Sequence, residues 1–159
     1  KESELNNEWI PELIKECNNC GVEFMTTVYD HKGLDLIAEY NPSVLKLASY
    51  EISFLSLFKE IGSRKIPLIF STAGASLGDI EASIDSYTTF GSASDLCVMH
   101  CNGKYPADRD MVNMNVLKTL KVAFPKLSIG FSDHTENPTE APIAAVSLGA
   151  KYIEKHFDY

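Results

Sequence analysis

Two histidines near the C-terminus of the chain have the type and spacing of metal ligands. His134 lies in the polar segment Ser-Asp-His-Thr that follows one predicted strand, and His156 closes the next predicted strand. Imidazole nitrogens bind divalent transition metals, and adjacent strands lie about 4.8 Å apart, so both side chains can reach one ion. A carboxylate such as Asp133 can fix the tautomer of a ligating histidine. The alternatives are a helix cap formed by Asp133 or Thr135 and a solvated strand end at His156.

A lysine interrupts the apolar strand segment Val-Leu-Lys-Leu-Ala. This residue is Lys46, and Ser49 and Glu51 follow in the next turn. Because a lysine is costly to bury without a partner, its side chain either extends outward to solvent or points into a polar site, where it would bind an anion. The hydroxyl and the carboxylate that follow favour the polar site.

Two other segments carry polar residues at predicted strand ends. The small-residue loop 70–76 offers hydroxyls and backbone N–H groups that suit a phosphate near a helix N-terminus, although many strand-to-helix turns have this composition. In segment 98–106, Asn102, Lys104 and Tyr105 are predicted to form a polar rim. His100 is predicted to be a structural histidine within its strand, and His31 to begin a helix.

Short apolar runs alternate with amphipathic segments along the whole chain. The runs are apolar on both faces, as in the strands of a covered parallel sheet. Strands are predicted at 22–28, 44–48, 66–70, 96–100, 127–131 and 151–156, and helices at 5–19, 32–40, 53–63, 77–91, 111–123 and 136–149. Ser76 and Asp110 are predicted N-caps. Predicted helix C-caps are Gly21, Gly62, Gly91 and Gly149.

The order α-(βα)5-β predicts an α/β fold with a parallel sheet. Polar residues follow nearly every strand, which favours a TIM-type (β/α) barrel, whose strand ends converge on one mouth, over a doubly wound sheet. A closed barrel has eight strands and only six are predicted. We therefore expect residues 1–159 to be a single, incomplete (β/α)8 barrel domain, lacking the first two strands and a final helix.

Composition excludes several classes of protein. The formal charge of −8 argues against a nucleic-acid or anionic-membrane partner. No apolar run approaches the roughly 18 residues of a membrane span, and residues 1–4 do not resemble the start of a signal peptide. The two cysteine pairs, at positions 17 and 20 and at 97 and 101, favour reduced thiols over a zinc site and hence a cytoplasmic protein.

Taken together, these segments resemble the N-acetylneuraminate (sialic acid) synthase family, over essentially the whole chain. The matching segments are 46–51 (Lys-Leu-Ala-Ser-Tyr-Glu), 69–72 (Ile-Phe-Ser-Thr), His100-Cys with Tyr105-Pro, 130–135 (Gly-Phe-Ser-Asp-His-Thr) and 149–157 (Gly-Ala-Lys-Tyr-Ile-Glu-Lys-His-Phe). The pair formed by Ser-Asp-His-Thr and Glu-Lys-His-Phe is the specific part of the resemblance.

The resemblance implies a barrel enzyme that condenses phosphoenolpyruvate with an N-acylated amino sugar. It implies that His134 and His156 bind a divalent metal, manganese or magnesium, and that His134, Lys46 and Glu51 take part in catalysis. Implied substrate ligands are Thr27, Lys46, Ser49, Ser71, Asn102, Tyr105 and Ser132. Gly103 stands where the family has a polar residue, and Asn102 is the candidate to supply its hydrogen bond.

The resemblance also implies a homodimer in the full-length protein, with a sugar-binding arginine from a C-terminal antifreeze-like domain that this chain does not contain. Two alternatives remain open. One is a synthase of a related sugar acid: legionaminic, pseudaminic, 9-phosphorylated sialic or spore-coat. The other is an inactive barrel fragment with a binding role.

Overall fold

A parallel sheet forms the centre of the computed structural model, which describes residues 5–157. Its strands are β1 (Leu45–Leu47), β2 (Leu68–Ser71), β3 (Leu96–Cys101), β4 (Ser128–Asp133) and β5 (Tyr152–Lys155). Each strand pairs in parallel with the next one in the chain, in the order β1-β2-β3-β4-β5. This order never reverses, which is the connectivity of a barrel rather than of a doubly wound sheet. The predicted α/β class and parallel sheet are confirmed.

Helices cover the outside of this sheet. They are α1 (Ile10–Cys20), α2 (His31–Ala38), α3 (Leu55–Ser63), α4 (Leu77–Thr88), α5 (Asn115–Ala123) and α6 (Glu140–Ser147). Short 3-10 helices occupy Asn7–Trp9, Ser49–Ser53, Ala93–Asp95 and Arg109–Met111. Every residue of β1, β2 and β3 is buried, because helices cover one face and the opposite face is inside the curved sheet. Among residues 5–157, no helix is long and apolar enough to cross a membrane.

The predicted strand 22–28 is where the strand count departs from expectation. The segment forms a single bridge, between Thr27 and Lys46. Its two hydrogen bonds run from Val28 N to Lys46 O (3.1 Å) and from Lys46 N to Thr26 O (3.2 Å). Five strands are therefore present in the described part of the chain, rather than six. Residues 1–4, on which the signal-peptide expectation rests, lie outside that part.

The predicted N-cap at Ser76 is confirmed, whereas the one at Asp110 is wrong. The Ser76 side chain accepts from Asp79 N, and the Asp79 carboxylate accepts from Ser76 N. Asp110 lies instead within a 3-10 helix, and α5 begins only at Asn115. The chain turns first because His100 in β3 binds the carbonyl of Val112 and Asn102, just after β3, binds that of Met111.

Glycines explain how the helices end and how they pack. Gly21 ends α1 with φ of 67° and Gly149 follows α6 with φ of 89°, as expected for left-handed caps. Gly62, in contrast, lies inside α3, so its predicted C-cap role is wrong. A Cβ atom there would lie 2.2 Å from the carbonyl oxygen of Tyr87 in α4, so the close packing of these two helices requires glycine.

Candidate functional site

The C-terminal ends of the strands open onto one cavity of about 570 Å³. Barrel enzymes place their active sites at this end, where loops from several strands converge. Eight of the ten predicted site residues line the cavity: Thr27, Lys46, Ser49, Ser71, Tyr105, Ser132, His134 and His156. Residues that were far apart in the sequence are therefore brought together as the barrel interpretation requires.

Lys46 points into the cavity rather than outward to solvent. The residue is only 5% exposed, and its ammonium donates to Ser71 Oγ (2.7 Å) and to Leu47 O (3.0 Å). The carboxylate of Glu154 lies 3.6 Å from Nζ. These partners offset the cost of burying the charge, and they hold a positive group in the cavity wall.

The small-residue loop after β2 forms the side of the cavity next to Lys46. Ala73 and Gly74 line it, and Gly74 has φ of 75°. The Ala73 N–H donates to Ser49 Oγ (2.9 Å), and that hydroxyl also lies 3.3 Å from the Cys101 thiol. Hydroxyl and backbone groups are thus arranged around the lysine, which is the composition of an anion site.

The two histidines stand together at the other side of the cavity. The ring centroids of His134 and His156 are 5.5 Å apart, with the rings nearly perpendicular. The Tyr105 ring stacks on His134 at 3.8 Å and meets His156 edge-on at 5.4 Å. An aromatic ring therefore restricts the orientation of both imidazoles.

A backbone carbonyl determines which nitrogen of His134 faces the cavity. Nδ1 donates to the carbonyl oxygen of Asn102 at 2.5 Å, so Nε2 carries the free lone pair and lies 3.3 Å from Ser132 Oγ. Burial lowers the pKa of His134; the Asn102 carbonyl opposes this effect and His156 adds to it. A neutral imidazole is the form that binds a metal. The expected carboxylate partner is not used, because Asp133 instead accepts from Thr135 and Lys155.

The number of side chains available to bind a metal ion is small. Within residues 5–157, no group of three or more His, Cys, Asp or Glu side chains has an arrangement that could hold a metal ion. Two imidazoles fit a divalent cation whose other ligands come from water or substrate. His134 and His156 could therefore serve as the two protein ligands of such a cation.

Glu154 is a cavity residue that the sequence-based site prediction missed. Its carboxylate accepts from Ser132 Oγ at 2.5 Å and faces Lys46. The signal was present in the alternation of the strand, because Glu154 and His156 share one face. Tyr29 and Cys101 also line the cavity without having been predicted.

Glu51 and Asn102 were predicted site residues, but they do not line the cavity. Glu51 lies in the 3-10 helix Ser49–Ser53, and within the described chain its buried Oε2 atom has no hydrogen-bond partner. Burial raises its pKa, against the effect of backbone N–H groups and Lys46. The side-chain amide of Asn102 donates to Met111 O (2.9 Å) and accepts from Lys104 N (2.9 Å). It therefore stabilises the loop that follows β3.

The remaining histidines and the cysteines are placed largely as expected. His100 is buried, and its Nε2 donates to Val112 O at 2.6 Å, which confirms a structural role. Burial also lowers its pKa. His31 begins α2. The cysteines at 17, 20, 97 and 101 are free, the first two in the last turns of α1 and the others in β3.

The fold and the cavity define an α/β protein of the barrel type with its candidate site at the C-terminal strand ends. The chain belongs to the NeuB family, whose family model matches residues 1–159. This membership confirms the resemblance to sialic acid synthases, since relatives in this family include enzymes named as synthases of sugar acids.

Three relatives illustrate the match. The spore coat polysaccharide biosynthesis protein SpsE of Bacillus subtilis is 46% identical over 154 residues, which are 97% of this chain and 41% of SpsE. The crystal structure of SpsE superposes on this chain with a TM-score of 0.93, and the match covers 43% of the SpsE chain in that structure. The N,N'-diacetyllegionaminic acid synthase of Campylobacter jejuni is 37% identical over 97% of this chain and 46% of its own length. An N-acetylneuraminic acid synthetase structure from Leptospira borgpetersenii is 28% identical with a TM-score of 0.90, covering 97% of this chain and 53% of that one. The chain thus spans less than half the length of these curated relatives.

Proposed function

We propose that this chain supplies much of the active site of a metal-dependent sugar acid synthase. The reaction condenses phosphoenolpyruvate with an N-acylated amino sugar and yields a nonulosonic acid and phosphate. The observation that carries the proposal is the convergence of a buried lysine, several hydroxyls and two histidines on one cavity. Family membership and relatives named as sugar acid synthases support it.

The anion site around Lys46 suits phosphoenolpyruvate, which carries a carboxylate and a phosphate. The ammonium is buried and already oriented by Ser71 and Leu47, so little reorganisation is needed when an anion binds. Thr27, Ser49 and Ser132, which carry hydroxyls, line the same cavity. Together these groups would hold the enol-ether carbon in position for attack.

His134 and His156 would hold the divalent cation, with Nε2 of His134 facing the cavity because Nδ1 is bound to Asn102. When bound, the cation supplies a Lewis acid that polarises the aldehyde of the open-chain sugar. Two imidazoles favour manganese over magnesium, which prefers oxygen ligands. Tyr105, stacked on His134, closes the side of the cavity where the sugar would lie.

The condensation needs a group that handles protons. Carbon 3 of phosphoenolpyruvate forms a bond to the aldehyde carbon, whose oxygen takes up a proton. Water then adds to the cationic carbon 2 and loses one proton. The new hydroxyl loses its other proton as it becomes the carbonyl of the product, and phosphate leaves with the electron pair of its C–O bond. Glu51 is the predicted carboxylate, but Glu154 is the one in the cavity wall, in contact with Lys46 and Ser132; these contacts support Glu154 as the proposed proton carrier.

The sugar is proposed to resemble N-acetylmannosamine. Two relatives named N,N'-diacetyllegionaminic acid synthase are 37% and 36% identical to this chain. An N-acetylneuraminate-9-phosphate synthase of Drosophila melanogaster is 27% identical. The precursor of N,N'-diacetyllegionaminic acid is therefore the second sugar to test. A homodimer and a cytoplasmic location complete the proposal.

Phosphate release tests the proposal in the protein encoded by the complete reading frame that contains these residues. We expect phosphate from phosphoenolpyruvate only when an amino sugar and Mn²⁺ are both present, with one sugar clearly preferred. Residues 1–159 alone are expected to show little or no turnover. Binding of phosphoenolpyruvate without turnover on any amino sugar would refute the enzyme and favour the binding role. Robust turnover by residues 1–159 alone would refute the incomplete-barrel interpretation.

Replacing one histidine tests the metal site separately. His134→Ala is expected to abolish measurable Mn²⁺ binding in calorimetry, because it removes half of the protein ligands. The matched control is His31→Ala, since His31 lies at the start of α2 and outside the cavity. Unchanged Mn²⁺ affinity in His134→Ala would refute the role of this histidine.

A further inference from the structure

The two residues that precede the histidines form a buried ion pair. Lys155 Nζ lies 2.8 Å from Asp133 Oδ2, and the Asp133 side chain is fully buried while that of Lys155 is 22% exposed. The two residues are direct register partners, the last pair of the β4–β5 ladder. His134 and His156 are the next residues, directly after the ends of β4 and β5. The pair therefore connects the two strands immediately before the two imidazoles.

Both members of the pair make further hydrogen bonds. Asp133 Oδ1 accepts from Thr135 N (2.9 Å), and Oδ2 accepts from Thr135 Oγ1 (3.1 Å) as well as from Lys155. Lys155 also donates to the backbone carbonyl of Thr135. His134 is thus enclosed between two residues that the pair holds, so its backbone cannot shift without breaking several bonds.

A second polar pair lies on the opposite face of the same two strands. Ser132 and Glu154 are register partners one step earlier, and the Ser132 hydroxyl donates to Glu154 in the cavity wall. Successive side chains of a strand point to opposite faces, which separates the Asp133–Lys155 pair from the cavity. The pair therefore lies outside the cavity that Lys46 and Ser132 line, and it borders a smaller cavity that His134 and His156 also line.

We propose that Asp133 and Lys155 are positioning residues that set the spacing of His134 and His156. The inference rests on the proposed function in taking these histidines as the metal ligands. Partners that orient metal ligands without touching the metal commonly contribute 10- to 100-fold to metal affinity. We expect a loss in that range, about tenfold or more, when the pair is broken.

The test is a double-variant cycle with Asp133→Asn, Lys155→Met and the two combined, made in the protein encoded by the complete reading frame. Each single variant should raise the Kd for Mn²⁺ about tenfold or more, and the combined variant should lose no more than the worse single one, because the residues act as a unit. Arg64→Met is the control, since it removes the ion pairs with Asp35 and Glu60 on the outer helices. That control should leave the Kd for Mn²⁺ unchanged.

A second readout does not need the metal. In metal-free protein with labelled histidines, the ring protons of His134 and His156 should show a nuclear Overhauser effect, given the 5.5 Å between ring centroids. The effect should weaken in Asp133→Asn and Lys155→Met and persist in Arg64→Met. If a single variant does not fold, Asp133→Leu with Lys155→Leu carries the test, because apolar replacement of a whole buried pair is often tolerated.

The possible outcomes are distinct. Folded variants with unchanged Kd for Mn²⁺ and an unchanged Overhauser effect would show that the pair only stabilises the fold, and would overturn the proposal. If the unaltered protein binds no Mn²⁺, the proposed metal site fails, and the Overhauser comparison still decides whether the pair positions the histidines.

Discussion

Lys46→Met is the substitution that most directly tests the proposed anion site. Methionine keeps the unbranched apolar stem of the lysine as far as Cε but removes the ammonium, so packing in β1 is largely preserved. The lysine has three donors, of which two are used by Ser71 and Leu47. The third is available to the cavity, where Glu154 at 3.6 Å is its nearest charged partner.

The expected magnitude follows from these contacts. A hydrogen bond to a charged group contributes about 1.5–3 kcal/mol, which corresponds to a loss of about 10- to 150-fold in affinity for phosphoenolpyruvate. Removing the ammonium also leaves the buried Ser71 hydroxyl without its donor, at a cost of about 1–3 kcal/mol of folding free energy. Loss of the ammonium opposite Glu154 costs little folding free energy, because the Glu154 side chain is 37% exposed and is hydrated by water.

Calorimetric titration with phosphoenolpyruvate measures the affinity, and urea unfolding measures the stability. Lys65→Met is the matched control, because Lys65 also donates to a carbonyl, that of Phe90, but is exposed and outside the cavity. It should bind phosphoenolpyruvate as the unaltered protein does. A folded Lys46→Met variant with an affinity within about twofold of the unaltered protein would refute the assignment of Lys46 to the anion site, since the expected loss is tenfold or more.

Two further predictions concern stability. Burial lowers the pKa of His100 in the folded protein. Below an unfolded pKa of about 6.5, the unfolded state therefore binds more protons than the folded state. The free energy of unfolding should be highest above that pH and should decrease as the pH falls through it towards the folded pKa. His100→Gln should flatten this part of the pH profile of the urea midpoint, and an unchanged profile would contradict the assignment. Gly62→Ala places a Cβ atom 2.2 Å from Tyr87 O and should destabilise the protein by about 1–3 kcal/mol, measured by urea unfolding. The control is Gly78→Ala, where the nearest side-chain atom would be 3.7 Å away. Equal stability of the two variants would show that α3 and α4 separate without cost.

Features that depend on local patterns were predictable. The apolar runs at 44–48 and 96–100 became β1 and β3 because their residues are hydrophobic on both faces. Ser76 was recognisable as a cap because Asp79 follows at the position of a capping box. The convergence of Lys46, Ser71 and Ser132 on one cavity follows from a general property, since parallel strands in a barrel end on the same side.

Other features depended on partners that are distant in the sequence. The start of α5 shifted to Asn115 because His100 and Asn102 bind the carbonyls just before it. Asn102 was predicted to bind substrate, but its side-chain amide instead forms hydrogen bonds with the backbone of its own loop. Neither effect has a signature in helix or strand periodicity, because each is a contact between side chain and backbone across a loop.

The sequence by itself determined the alternation of strands and helices, the parallel α/β class and the types of side chain that reach the strand ends. These depend on hydrophobic period and on residue chemistry, which are local properties. Only the tertiary structure decided how the two histidines are held. The hydrogen bond from His134 to Asn102 spans 32 positions of the sequence, and the Asp133–Lys155 pair spans 22. Such bonds form only once packing has brought the strands into register, which is why the orientation of the two histidines appears in the structure and not in the sequence.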